Sequence, residues 1–592
     1  VALALAAAAG AGFVAAGPAQ PSADEATARV DKLFAAWDKP DSPGAALAVI
    51  KDGTIIYERG YGMARLEDGL SNTPDKVFDI GSVSKQFTAA CVATLVREGK
   101  VGLDDDIRKF LPEMPDYGTP VTVRHLLHHT SGLRDYNALL SLAGFRPESD
   151  CPTVEEALEV VARQKKLNYP PGEEYSYTNT GYFLLSQIVE RVSGKSLSAF
   201  AQERLFGPLG MSKTLIQDDH TQVIKDRATG YAKVEEGWTV AMSNWDETGD
   251  GNVYTTVRDL AKWDAAFYSG ALGAGLPEMM QETGKLNSGK AIDYAWGLVV
   301  TEYKGLKVVE HGGAWVGFRA ALVRFPGERF TVVVLANLDA IDPSGLAFRV
   351  ADIYLADRLK QPVKAGGAKP EKKVAGAYAA PKAELEALAG NWEDVRFGQW
   401  MTVSVKDGRA TAELGGRKFG LEPTGPGRFV AAGRGDIVLE FMGPEKGKPV
   451  TARMAVGTSL TFDFVRALPL KSLDTAALAA YAGPYMSEEL LDARYVIGVD
   501  KGGLVLKMRT AARAELVAMA PDKFTVPDLG LNVEFVREGG EGGSGKTAVS
   551  GGSGKVTGFT VSVGRAAGIA FARDARGPGG GSGALIEAEL RR

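Results

Sequence analysis

The chain has 592 residues, 45% of them hydrophobic and 24% charged, which predicts three to four folded units at roughly 150 residues each and excludes both a wholly disordered chain and a many-span membrane protein. With 68 basic against 73 acidic residues the formal charge is −5, so there is no basic field to gather nucleic acid, and none is expected as a partner.

Residues 1–19 are uncharged, mostly Ala, and end in Gly17-Pro18-Ala19, with small residues spaced as at a cleavage site. We read 1–23 as a signal-peptide-like leader, with an Ala-rich membrane anchor as the rival, and expect a periplasmic or secreted protein. No integral membrane segment is expected beyond it. Gly44 to Ile50 is apolar, Asp52-Gly53 supplies a hairpin turn, and 54–62 returns as a strand. Apolar positions at helical spacing (Val83, Phe87, Ala90, Cys91, Leu95) then predict a buried helix over 83–98, stopped by Gly99. Further helices are expected at 122–129, 153–165, 181–193, 197–205 and 256–268. Strands follow at 294–304, 307–311, 318–325 and 330–337, with a closing helix over 345–359. Strands, a helical block and strands again imply an α+β domain over 24–360, with helices covering an antiparallel sheet.

Residues 361–380 are rich in Pro, Lys, Gly and Ala and read as a linker. Beyond it the sequence repeats: Leu388-Ala389-Gly390-Asn391-Trp392 corresponds to Tyr481-Ala482-Gly483-Pro484-Tyr485, and 436–441 to 531–535, at an offset near 94. Short alternating strands in both copies, ending near Phe464 and Phe571, predict two small antiparallel β-barrels, 381–470 and 471–592. The second carries a Gly/Ser-rich loop at 539–554. Within it Gly540 to Thr547 matches a phosphate-binding loop, but 548–554 is too rich in Gly and Ser to make the helix that such a loop must open, so no nucleotide is expected. If this loop reaches the catalytic cleft, Glu538 or Glu541 is placed to seat a substrate ammonium. The two cysteines, Cys91 and Cys151, make no disulfide framework, and Cys91 is expected in the core. His125 and His129, four apart on an expected helix, have no glutamate between them and no third ligand, so no metal is expected there.

The chemistry gathers around Ser82-Val83-Ser84-Lys85. Ser82 falls at or near a helix N-cap, where unpaired N–H groups stabilise negative charge, and Lys85 is one turn on. Tyr177-Thr178-Asn179 follows the turn Pro171-Gly172 and presents a phenol and an amide from a loop, while His311-Gly312-Gly313 ends a strand with two small residues that allow close backbone approach.

Ser82-x-x-Lys85, Tyr177-x-Asn179 and His311-Gly312-Gly313, in that order, resemble the three active-site motifs of the penicillin-recognising serine hydrolases: β-lactamases of the Tyr-x-Asn type, D,D-peptidases, D-aminopeptidases and esterase relatives. Phe78-Asp79-Ile80-Gly81-Ser82, the run His125 to Leu133, the run Phe206 to Met211, and Gly317-Phe318 also fit, and the likeness spans roughly 30–360. His-Gly-Gly stands where many relatives have Lys-Thr-Gly, which resembles the D-aminopeptidase and esterase-like branches more than potent β-lactamases. The resemblance implies a β-lactamase-like domain followed by the two barrels, and an acyl-enzyme on Ser82. It assigns the base to the Lys85–Tyr177 pair without choosing between them, the oxyanion hole to the N–H groups of Ser82 and Ala314, and substrate binding to Asn179, His311 and Gly313. A small peptide, amide or ester is the implied substrate, D-amino-acid peptides first, with no cofactor. A carboxylesterase or weak β-lactamase and a non-catalytic cell-wall-fragment sensor are the alternatives, and oligomeric state is left open.

Overall fold

The computed structural model describes residues 22–360, 378–395, 398–414, 417–432, 434–443, 450–456, 460–467, 475–538 and 554–574. The leader through residue 21, linker residues 361–377, and 539–553 with their phosphate-loop-like run and Glu541 lie outside the described residues.

The site is built on a six-stranded antiparallel sheet. Its strands are β1 (Ala45–Lys51), β2 (Thr54–Tyr61), β3 (Val299–Tyr303), β4 (Leu306–Trp315), β5 (Phe318–Phe325) and β6 (Phe330–Ala336), in the order β3-β4-β5-β6-β1-β2. β1 pairs with β6 from Ala45–Ala336 to Lys51–Phe330, so the early hairpin is closed onto strands nearly 300 residues later. Alternation of side chains divides β1 between two cores. Ala46, Ala48 and Ile50 enter the core shared with the helical block, whereas Ala45, Leu47 and Val49 enter a second core beneath the helices Ala23–Phe34 and Pro343–Tyr354. On the helical-block side, Asp264 of the helix Val257–Ser269 accepts hydrogen bonds from Arg324 Nε on β5 (2.6 Å) and Thr331 Oγ1 on β6 (2.8 Å), fixing that helix across the sheet.

Three elements depart from the expectation. Pairing of the strand expected over 294–304 starts only at Val299, because Gly297 turns with φ of 70° and a Cβ there would sit 2.6 Å from the Lys85–Gln86 backbone. β4 does not end at His311: it runs on to Trp315, with Gly312 and Gly313 paired to Ala321 and Ala320. The helix expected over 122–129 is only Val123–Leu127, and His129 takes φ of 56°, so His125 and His129 do not share a helix face. His125 instead accepts from the Thr122 N–H in a capping box.

Each C-terminal unit is a closed eight-stranded antiparallel barrel, one from Gly390–Asp394 to Leu460–Arg466 and one from Gly483–Ser487 to Ala566–Arg573. The repeat seen in the sequence is therefore structural: Trp392 and Tyr485 occupy the first strand of each barrel, Phe464 and Phe571 the last, and all four are buried. The second barrel shares one continuous apolar core with the helical block, while the first keeps its own. A buried ion pair, Arg134 Nη1 to Glu489 Oε2 at 2.6 Å, and a hydrogen bond from Tyr495 OH to the Leu142 carbonyl (2.8 Å) bind the second barrel to the sheet domain. The first barrel leans on the second through Lys523 and Glu393, 2.6 Å apart.

Candidate active site

The short strand Phe78–Asp79 leads into a 3-10 turn, Gly81–Ser84, which runs into the helix Lys85–Arg97. Ser82 thus lies in the turn ahead of the helix, and Ser84 takes the N-cap position. Gly81 has φ of 48° and donates its N–H to Asp79 Oδ1 at 2.7 Å. Burial raises the Asp79 carboxyl to about 7, against the lowering effect of that N–H.

Lys85 is fully buried, and its amine makes three contacts: Ser82 Oγ at 3.1 Å, Asn179 Oδ1 at 2.9 Å and the Asp250 carbonyl at 2.8 Å. Asn179 is the first residue of the helix Asn179–Ser193, capped by Thr178, and its N–H donates to Asp135 Oδ2 at 2.8 Å. Burial pulls the Lys85 pKa down to about 8; the Asp250 carboxylate opposes this, Arg565 assists it and Asp135 opposes it. Asp250 in turn is raised to about 6 by burial, with Lys85 and a hydrogen bond from Tyr136 OH (3.0 Å) holding it down.

The Tyr177 ring is close to two basic groups, 5.0 Å from Lys85 Nζ and 5.3 Å from the Arg565 guanidinium, measured to the ring centroid. Its hydroxyl is buried without a well-formed hydrogen bond among the described residues, although the Ser82 hydroxyl is near enough to favour phenolate. Burial dominates and pushes the phenol above its ordinary range, so Tyr177 is protonated at neutral pH. Beneath it His129 is enclosed by Tyr177, Tyr182 and Tyr294, with ring centroids 4.2, 5.2 and 4.4 Å away. The site floor is aromatic.

His311 lies on the sheet face that carries Val309 and faces the helical block. Its Nδ1 is 2.6 Å from the Gly312 carbonyl, which can only accept, so the proton sits on Nδ1 and Nε2 accepts from Tyr294 OH at 2.9 Å. Burial and Lys85 lower its pKa to about 4, making it neutral at pH 7. Both ring nitrogens are therefore engaged within the protein.

The two glycines after His311 differ. A Cβ on Gly313 would lie 2.0 Å from the Ile80 carbonyl and 3.2 Å from Ser82 N, and one on Gly81 would lie 2.7 Å from Ala314 N; on Gly312 the nearest atom is Ser344 Oγ at 3.4 Å. The close approach that Gly313 permits is therefore between β4 and the turn that carries Ser82. It sets the backbone of Ser82 against that of Gly313 and Ala314 at the edge of a cavity of about 1140 Å³.

Ser82, Tyr177, Asn179, His311, Gly313 and Ala314 all line this cavity, with Lys85 buried behind Ser82. The opposite wall is the second barrel, with Met508, Leu529, Leu531 and the turn bearing Arg565. Among the described residues of the barrel, Arg565 lines the cavity and Glu538 does not. Arg565 Nη1 donates to the Tyr177 carbonyl at 3.3 Å, and Nη2 is 3.6 Å from Asp135. Asp135, Asp250, Tyr294 and Arg565 are the polar residues that sequence reasoning missed. Gly249-Asp250-Gly251-Asn252 is a turn signal that could have marked one of them: Gly249 has φ of 108°, and a Cβ there would meet the Tyr182 carbonyl at 2.3 Å.

The fold and the Ser–Lys–Tyr grouping define a serine hydrolase. A family model described as Beta-lactamase matches residues 30–354, and the chain belongs to that family. Among similar proteins, a D-aminopeptidase of Brucella anthropi is 29% identical over 469 residues, covering 78% of this chain and 82% of its own. A D-aminopeptidase of Gluconobacter oxydans is 33% identical over 298 residues (50% and 56%), and penicillin-binding protein 4* of Bacillus subtilis is 31% identical over 320 residues (51% and 69%). The solved octameric penicillin-binding protein homologue from Pyrococcus abyssi superposes with a TM-score of 0.51 at 25% identity, covering 75% of this chain and all of the other.

Proposed function

We propose that this protein hydrolyses amide bonds in small peptides or amides containing D-amino acids, through an acyl-enzyme on Ser82 with Lys85 as the base. The observation that carries the reading is the set of three contacts around the Lys85 amine. A neutral amine has two hydrogens and one lone pair. Asn179 Oδ1 and the Asp250 carbonyl, both pure acceptors, take the two hydrogens, which leaves the lone pair for the Ser82 O–H. The fall of the Lys85 pKa from 10.5 to about 8, as burial penalises the ammonium, reduces the cost of reaching that neutral state by about 3 kcal/mol. Tyr177, held as the phenol, is the weaker candidate for the base and is in the protonation state to relay a proton.

In the proposed sequence Ser82 Oγ attacks the substrate carbonyl as its proton passes to Lys85 Nζ, and the N–H groups of Ser82 and Ala314 receive the oxyanion. The C–N bond then breaks. Tyr177 gives its proton to the leaving nitrogen and regains one from the Lys85 ammonium, after which water releases the acyl group by the reverse transfers. The D-amino-acid preference rests on the D-aminopeptidase relatives, whose likeness extends over most of this chain. Export through the leader, and an oligomer like the octameric homologue, are part of this proposal; fractionation and light scattering address them.

The direct test compares D-alanine p-nitroanilide, its L-enantiomer and p-nitrophenyl butyrate, with fluorophosphonate labelling of wild type and Ser82→Ala. Faster turnover of the D-anilide, with label lost in Ser82→Ala, is expected. Turnover of the ester alone makes the protein an esterase, and no label at Ser82 removes the acyl-enzyme.

A further inference from the structure

Away from the cavity, three loops bring a thiol, an imidazole and a carboxylate together at the protein surface. Cys151 precedes the helix Val154–Ala162, His220 follows the short strand Leu215–Ile216, and Asp246 lies in the loop that carries Trp245 and Asp250. Cys151 Sγ is 3.6 Å from His220 Nδ1 and 3.4 Å from Asp246 Oδ2, and those two atoms are 2.8 Å apart. Among the described residues this is the one group of three His, Cys, Asp or Glu side chains whose ligand atoms all lie within 4.8 Å of one another. None of the three lines the active-site cavity.

We propose that Cys151, His220 and Asp246 form a three-ligand site for a thiophilic divalent cation of the zinc class, with a fourth, open position for water. The geometry carries this. Zinc bonds of about 2.3 Å to sulfur and about 2.0–2.1 Å to nitrogen and oxygen, at tetrahedral angles, give ligand–ligand edges of about 3.5 Å to the sulfur and about 3.3 Å between nitrogen and oxygen. Both sulfur edges already match. The Nδ1–Oδ2 edge is short because the pair shares a hydrogen bond, and replacing that proton by a cation opens it by about half an ångström. The other oxygen of Asp246 accepts from the backbone N–H of His220 at 2.5 Å, which orients the carboxylate and leaves Oδ2 for the metal, as outer contacts do for metal ligands. A thiolate, imidazole and carboxylate together suit zinc better than the oxygen-seeking calcium or magnesium.

The site is structural in its placement. It joins the Asp246 loop to two others, and four residues further on that loop offers the Asp250 carbonyl to Lys85 at 2.8 Å. Trp245, beside Asp246, lines the cavity and stands 5.7 Å from Trp315, centroid to centroid. A bound cation would fix the loop whose other end positions the base.

The test uses the full-length protein, reduced and stripped with a chelator, and cobalt(II) as the probe. One equivalent of cobalt is expected to bind with a thiolate-to-cobalt charge-transfer band that zinc bleaches. The band should persist in Cys91→Ala, whose thiol is buried in the core, and vanish in Cys151→Ser. His220→Asn should weaken zinc binding by at least about tenfold. Zinc should raise the Tm of wild type and not of Cys151→Ser. Circular dichroism checks that the variants fold, and either one alone suffices for the comparison. No charge-transfer band in wild type, or equal cobalt binding in wild type and a folded variant, would overturn the proposal.

Discussion

The electrostatic origin of the Lys85 shift makes the pH dependence of hydrolysis the sharpest test of its role. If neutral Lys85 accepts the Ser82 proton, kcat/KM follows the neutral fraction. With a pKa of about 8 that fraction is about 9% at pH 7 and about 91% at pH 9, a tenfold rise with its midpoint near 8. An unshifted amine at 10.5 would give about 0.03% and about 3%, a hundredfold rise with no plateau in that range. Asp250→Asn isolates one cause of the shift. The backbone carbonyl that accepts from Lys85 is retained, and the amide oxygen can still accept from Tyr136 OH, so the chief loss is a negative charge. That charge favours the ammonium, so its removal lowers the Lys85 pKa and moves the midpoint to lower pH. The assay is kcat/KM for D-alanine p-nitroanilide from pH 6 to 10 in wild type and variant. A wild-type midpoint near 10, or a variant midpoint that stays or rises, would refute the assignment of the base.

Arg565→Gln is expected to move the same midpoint the other way, to higher pH, because Arg565 disfavours the Lys85 ammonium; the same profile measures it. Gly313→Ala should lower kcat by about a hundredfold or more, since its Cβ would force β4 away from Ile80 and Ser82, while Gly312→Ala, with Ser344 Oγ as its nearest neighbour, keeps kcat within a few-fold. Glu489→Leu should destabilise the protein by about 3–5 kcal/mol by leaving Arg134 buried and unpaired, read as a lower urea midpoint for the sheet domain and second barrel together.

Much of the site is legible because its residues sit where local sequence rules operate. Ser82 and Lys85 share a turn and a helix start, Tyr177 and Asn179 flank the Thr178 cap, and His311-Gly312-Gly313 interrupts an alternating strand. The barrels are legible because the repeat doubles the signal, with Trp392 and Tyr485 at matching places. What the sequence hides are partners brought in by long-range packing. Asp250 serves Lys85 with a backbone carbonyl, which any residue carries, and Arg565 sits in a barrel turn that nothing local connects to Tyr177. The helix Tyr136–Ala143 is only eight residues long, and although Asp135 caps it, nothing local connects Asp135 to the N–H of Asn179, 44 residues on. Helical spacing also misplaces His129, whose positive φ ends the turn and sends its ring beneath Tyr177.

The second-barrel wall of the cavity has a consequence for how the protein comes into being on the ribosome. Arg565 is synthesised more than 200 residues after the sheet domain ends at residue 360, an interval of about 10–40 s at ~5–20 residues per second. Throughout that time Ser82 and Lys85 can be assembled while their cleft stands unroofed, and a nascent chain cut short before its final strands would carry both side chains in a cleft that lacks its opposite wall.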